Sequence, residues 1–358
     1  MKKQGLLNFS ASALAVICGL VFGLVILLCT NPAQALPGLG IILKGGFADG
    51  MSGFGYMLYI ATPIIMTGLS VGFAFRTGLF NIGASGQFTM GAFVAVYIGI
   101  NWTWLPPQIH WIVALLGAAV GGAVWGLVPG ILKAFRNVNE VISCIMMNYI
   151  GMYLVNHMIQ SLIYDPLRSQ TQPVSAGANI PKAGLDQLFS SNNLNIGILI
   201  AVVFVVLIYI LIEKTTFGFE LKACGMNRNA SKYAGISVKK SLAMSMVIAG
   251  ALAGIGGALM YLAGSGKYMQ VLDVLSPEGF NGISVALLGL SNPIGILFAG
   301  IFIGYITVGG NNLQLLNFGP EIIDIIIAAI IYCGAFSLLF KHLIGKLIKR
   351  TKKEEESV

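Results

Sequence analysis

The feature that most constrains this chain is a succession of apolar runs, each close to the twenty or so residues a helix needs to cross about 30 Å of hydrocarbon. Read between their charged or Pro/Gly-rich breaks, they predict spans at 11–30, 54–75, 84–100, 111–132, 141–164, 195–213, 241–264, 278–290, 293–309 and 321–340. The eighth and ninth are short and split by Ser291-Asn292-Pro293, so they are expected to be half-length or broken helices. Composition leaves no soluble alternative. Charged residues make up 9% of the chain and hydrophobic ones 56%, with a mean hydropathy of +0.85, and too little polar surface remains to face water. The expected fold class is an all-α polytopic membrane protein of about ten transmembrane helices, with the lipid bilayer as solvent. Intrinsic disorder, a secreted disulfide scaffold and nucleic-acid binding are excluded on the same numbers.

Lys2 and Lys3 before an apolar run, with Ala33-Gln34-Ala35 after it, imitate a secretory signal. The run from Ala11 to Cys29 is longer than the roughly 7–15 residues of a signal's apolar region, so a retained first helix is expected. Ten spans and a cytoplasmic N-terminus place both termini in the cytoplasm of a multi-pass protein of the plasma membrane. Seventeen of the 21 Lys and Arg then face inward, with Lys44, Arg168, Lys182 and Lys267 outside, as the positive-inside rule requires. Trp102, Trp104 and Trp111 fall at an outer boundary, where an aromatic belt is expected. In this reading one transmembrane domain covers 1–345, with an external loop at 165–194, a cytoplasmic segment at 214–240 and a charged tail at 346–358.

Small residues recur at spacings of four, as in Gly122-x-x-x-Gly126-x-x-x-Gly130, Gly250-x-x-x-Gly254 and Gly300-x-x-x-Gly304. Such stripes let helix backbones approach closely in lipid, either as static packing or as sliding surfaces. The five cysteines form no C-x-x-C, and the four in apolar runs read as small core hydrophobes, with only Cys224 in a polar segment. An internal echo is also present. Gly78-Leu79-Phe80-Asn81-Ile82-Gly83 opens the third span from inside and Gly279-Phe280-Asn281-Gly282 the eighth from outside. Asn139-Glu140-Val141-Ile142 opens the fifth and Pro320-Glu321-Ile322-Ile323 the tenth. The echo pairs spans 2–5 with spans 7–10 as an inverted repeat, whose interface is where a transport pathway is expected. Glu140 and Glu321 each begin a helix, where a carboxylate serves as a cap or as part of a gate.

No catalytic constellation or metal cluster appears, so the chain reads as a non-enzyme without a cofactor of its own. Gly264-Ser265-Gly266-Lys267 lacks the spacing of a phosphate loop. The mid-span regions hold almost no ionisable group, and His157 reads as a packed, hydrogen-bonded histidine. A chain that cannot energise itself needs a partner that does. The surface for that partner is expected at Glu213–Lys240, the one long internal loop, where Asn227 or Asn229 can cap a short helix that Gly235 ends.

The pattern Gly218-x-Glu220-Leu221-x-Ala223-x-Gly225-x-Asn227-x-x-Ala230-x-x-Tyr233-Ala234-Gly235-Ile236 resembles the coupling segment of bacterial ABC importer permeases of the ribose, branched-chain amino acid and nucleoside subgroup. Ala74-Phe75-Arg76-Thr77-Gly78-Leu79-Phe80-Asn81-Ile82-Gly83, the stretch Glu140–Ile150 and Glu213–Glu220 look most similar to nucleoside permeases. The resemblance implies a permease subunit of an ATP-driven nucleoside importer. Its partners would be an ABC ATPase carrying ATP and magnesium, a second related permease in a heterodimer, and an extracellular substrate-binding lipoprotein. Gly225, Asn227, Ala230, Tyr233, Ala234, Gly235 and Ile236 would seat in the ATPase. A neutral nucleoside suits a pathway of amides and hydroxyls, for which Asn81, Gln87, Ser143, Asn148, Asn281 and Ser284 are candidates; interhelical hydrogen bonds are the other use for such residues. A permease for a sugar or branched-chain amino acid, and a carrier working alone, are the alternatives.

Overall fold

The computed structural model describes residues 2–264 and 266–319 and isolated positions between 322 and 336, with backbone alone for 2–13, 15 and 16. Glu321, most of the tenth expected span and the tail at 346–358 lie outside the described residues.

Helices form where the apolar runs predict them. The order is α1 (Lys2–Thr30), α2 (Pro32–Lys44), α3 (Gly50–Arg76), α4 (Ala84–Asn101), α5 (Pro107–Arg136) and α6 (Glu140–Leu162). A two-stranded hairpin, β1 (Tyr164–Asp165) with β2 (Gln170–Thr171), and the short α7 (Leu185–Leu188) follow. The order continues α8 (Gly197–Lys214), α9 (Thr216–Met226), α10 (Arg228–Tyr233), α11 (Val238–Tyr261), α12 (Pro277–Leu288) and α13 (Pro293–Asn311). Helices α3, α5, α6, α8 and α11, and the stretch Pro293–Leu316 that begins with α13, are long and apolar enough to cross a membrane. The protein is an all-α, multi-pass membrane protein. Helix α2 has no counterpart among the predicted spans: it is 13 residues long, and Pro32 at its start fixes φ where the missing N–H costs nothing.

The chain forms two units, one from Met51–Gly304 and the other from Met1–Gly50 with Tyr305–Val358. In the second unit, Gly45 turns with φ 47° after α2, and the Tyr305 hydroxyl donates to Leu43 O.

In the first unit α3 and α11 are enclosed, with 83% and 72% of their apolar windows buried against 22% for α5. Helix α5 shows how. It buries Ala114, Ala118, Gly122, Gly126 and Gly130 and exposes Leu116, Val120, Val124 and Val128, so small residues face protein and branched ones face lipid. A Cβ on Gly122 would stand 2.2 Å from Gly250 O, and one on Gly250 would stand 2.2 Å from Gly122 O. The two glycine stripes are in backbone contact.

The packing is reciprocal. Helix α11 lies on α4 and α5, where Gly257 meets Phe88 and Ala92 and Gly254 meets Gly122. Helix α3 lies on α12 and α13, where Gly68 meets Val285, Gly300 meets Ile65 and Gly304 meets Ala61.

Candidate functional site

The segment expected at 214–240 is two helices. Thr215 Oγ1 accepts from Gly218 N at 3.0 Å to open α9, and Asn227 Oδ1 accepts from Asn229 N at 3.0 Å and Ala230 N at 3.1 Å to open α10. Helix α10 closes in a Schellman turn: Gly235 has φ 82°, its N–H reaches Lys232 O at 3.1 Å, and Ile236 N–H reaches Ser231 O at 3.0 Å. Glycine takes that left-handed position without a Cβ clash. Leu221, Cys224 and Ser231 anchor the pair inward. Asn227, Ala230, Ala234 and Gly235 are exposed, Ile236 is half-buried, and Tyr233 stands 93% exposed.

Gly225, in the last turn of α9, rests on the turn joining α3 to α4. A Cβ there would come 2.4 Å from Arg76 O and 3.1 Å from Gly78 N, and Arg228 Nη2 donates to Gly78 O at 3.3 Å.

That turn runs directly into a buried polar knot. Asn81 Nδ2 donates to Gln87 Oε1 at 2.8 Å and to Ser70 Oγ at 3.1 Å, while Gln87 Nε2 donates to Asn81 Oδ1 at 3.1 Å. Asn148 Oδ1 accepts from Gly86 N at 2.8 Å and its Nδ2 donates to Ile82 O at 3.0 Å. The structure thus brings Asn81, Gln87 and Asn148 together, with their amides engaged on one another and on backbone. Ser143 turns back on its own helix, donating to Asn139 O and Glu140 O at 3.1 Å. Asn281 and Ser284 stand half-buried on α12. Glu140 lies in the first turn of α6, but the capping oxygen is Asn139 Oδ1, which accepts from Val141 N at 2.9 Å; Glu140 pairs with Lys133 at 2.8 Å.

Helix α12 has only 12 residues, about 18 Å of rise, so it cannot cross about 30 Å of hydrocarbon. Its start is pinned inside the bundle. Thr67 Oγ1 donates to Glu278 O at 2.9 Å, and Ser85 Oγ donates to Ser276 O at 2.8 Å. Thr67 lies nine residues before Arg76 in α3, roughly 14 Å from that end of the helix. Glu278 therefore sits near mid-depth, and the chain preceding it reaches that depth without being helical. Such backbone is tolerated only where it is buried in protein or lines a cavity.

It lines a cavity of about 290 Å³, walled by Phe88 and Thr89 of α4, Met152 and Asn156 of α6, Tyr261 of α11, Gln270 and Ser276 of the incoming segment, and Glu278 of α12. The segment is held from the outside expected for it: Thr171 N donates to Met269 O at 3.0 Å, Gln170 bridges Gln270, and Asn156 Nδ2 donates to Leu272 O at 2.9 Å. A cavity of this size lies at the lower end of small-molecule sites, which begin at about 300 Å³.

Glu278 is an ionisable group that the reading of the mid-span regions did not single out. One expectation fails here. His157 is exposed on α6; among the described residues the buried histidine is His110, whose Nε2 meets Ile98 O at 3.0 Å. The signal for Glu278 was Ser276-Pro277-Glu278, a helix start with proline first and an acid in the first turn.

A family model described as branched-chain amino acid transport system, permease component, matches residues 53–335. The chain is 39% identical over 338 residues to the guanosine ABC transporter permease protein NupP of Bacillus subtilis, covering 94% of this chain and 96% of the relative. It is 36% identical over 343 residues to the nucleoside ABC transporter permease protein NupB of Lactococcus lactis, covering 93% and 92%. It is 28% identical over 344 residues to the glucose ABC transporter permease protein TsgB13 of Haloferax volcanii, covering 94% and 89%.

Proposed function

The chain belongs to the branched-chain amino acid transport system permease family, and from that premise we propose that it is the membrane subunit of an ATP-driven importer of nucleosides. Its similarity to nucleoside permeases runs over nearly the whole length of both chains. The observation that carries the solute assignment is the cavity, whose lining combines aromatic rings, amides and hydroxyls with no lysine or arginine. A flat, apolar base with a hydroxylated sugar matches such a lining, whereas a phosphorylated solute finds no counter-charge.

In this reading the energy comes from a separate ABC ATPase that binds ATP and magnesium. Solute arrives from an extracellular binding lipoprotein, and a second related permease completes a heterodimer. Helix α10, with Tyr233 outermost, seats in the ATPase. Movement passes through Gly225 to the Gly78 turn and from there to the Asn81–Gln87–Asn148 knot, which works as a rigid lever because its hydrogen bonds are internal. ATP binding biases the two membrane states only through contacts that differ between them. Both termini lie in the cytoplasm of a ten-span bundle, and the reciprocal packing of α3 and α11 supports the inverted repeat.

Uptake of radiolabelled adenosine by the assembled importer, challenged with unlabelled guanosine, ribose, glucose and leucine, tests the proposal. Guanosine is expected to compete and the other three not to. Competition by glucose alone would favour the sugar reading that the similarity to TsgB13 keeps open.

A further inference from the structure

We infer that Glu278 is the specificity-determining group of the cavity, its carboxylate accepting hydrogen bonds from the ribose hydroxyls of the passing nucleoside. This rests on the nucleoside reading above.

A carboxylate near mid-membrane is costly and is kept where it faces a cavity or a partner. Glu278 does face the cavity. It joins none of the ion pairs among the described residues, which are Lys133–Glu140, Lys182–Asp186 and Lys222–Glu213. The Ser276 hydroxyl donates to Oε2, which fixes the carboxyl group and leaves Oε1 open as an acceptor. The first turn of α12 supplies unsatisfied N–H groups and the positive end of a helix dipole, which lowers the cost of the charge at that place.

The cavity is polarised along its length. Tyr261, Met269, Val155 and Ile159 belong to one apolar cluster. Ser276 and Glu278 are tied instead to Ser85 and Thr67 by hydrogen bonds. A base laid against the apolar end directs its sugar towards the carboxylate. Hydroxyls donating to a carboxylate make charge-assisted bonds, stronger than those an amide oxygen accepts. A solute without the hydroxyls leaves this half-buried acceptor short of a partner, and an acceptor left unpaired away from water is where discrimination is largest.

The experiment uses the assembled importer in membrane vesicles, with labelled adenosine and labelled 2′,3′-dideoxyadenosine as probes. The affinities of the binding protein for the two are measured separately and divided out of the initial rates. The wild type is expected to retain a preference for adenosine of about tenfold or more, Glu278→Gln to bring it close to one, and Glu278→Asp to lower it part of the way. A wild-type preference of one overturns the inference, as does a full preference in Glu278→Gln. If Glu278→Gln fails to reach the membrane, an unchanged preference in Glu278→Asp overturns it. Wild-type vesicles that take up ribose or leucine but neither nucleoside overturn the nucleoside reading itself, a result separable from equal transport of both probes.

Discussion

Gly225 rests directly on Gly78: a Cβ on Gly78 would stand 3.2 Å from Gly225 Cα, and one on Gly225 would stand 3.1 Å from Gly78 N. Two backbones in contact transmit displacement with little slack, because no side chain between them can change rotamer. The contact joins the exposed helix pair α9–α10 to the turn that carries Asn81.

Gly225→Ala tests that joint. The added methyl group meets Arg76 O at 2.4 Å, and backbone cannot yield as a side-chain tip does. The expected outcome is a fall in uptake of about tenfold or more, the equivalent of about 1.4 kcal/mol, with ATP hydrolysis by the assembled complex retained. Hydrolysis and uptake measured on the same vesicles check it.

Tyr233→Asp is expected to leave folding untouched, since the side chain is 93% exposed and such substitutions usually stay within about 0.5 kcal/mol. It is expected to abolish co-purification of the ATPase. Thermal stability of the isolated permease and pull-down of the ATPase, measured side by side, separate the two effects.

Gly250→Val addresses the packing of α11 on α5. The site has no space, with Gly122 O at 2.2 Å from any Cβ, and overpacking costs about 1–3 kcal/mol or more. A clear drop in the melting temperature of the detergent-solubilised protein is expected. Gly40→Ala, where nothing lies within 4 Å, is expected to leave it unchanged.

The Lys133–Glu140 pair has side chains only 12% and 16% exposed. Glu140→Gln leaves a partly solvated ammonium without its partner, at a cost between the up to about 1 kcal/mol of an exposed pair and the about 3–5 kcal/mol of a buried one. The double variant Lys133→Gln with Glu140→Gln is expected to recover much of that loss. A double-mutant cycle on melting temperature measures the coupling.

Much of this architecture was legible in the sequence, for definite reasons. Apolar runs of near-constant length predict the spanning helices because the hydrocarbon thickness sets that length. The α10 cap and stop were readable in Asn227 and Gly235 because both are local backbone chemistry. Helix α9 was missed because its one clear start signal, Thr215, lies in what reads as a polar loop. The polar knot was named residue by residue, but the pairing of Asn81 with Gln87 depends on how α4 folds back on its own turn, a tertiary fact. Glu278 was passed over because an acid at the edge of an apolar run looks like a membrane boundary. Only the contacts of α12 with Thr67 and Ser85 bring it to mid-depth.

The central claim is that this polypeptide is a passive path moved by an attached ATPase. Reconstitution in liposomes tests it most directly, comparing the chain alone with the complete importer, with labelled adenosine outside and ATP on the ATPase side. The expected result is accumulation above the external concentration only when the ATPase, the second permease and the binding protein are all present. Accumulation against a gradient by this chain alone would contradict it.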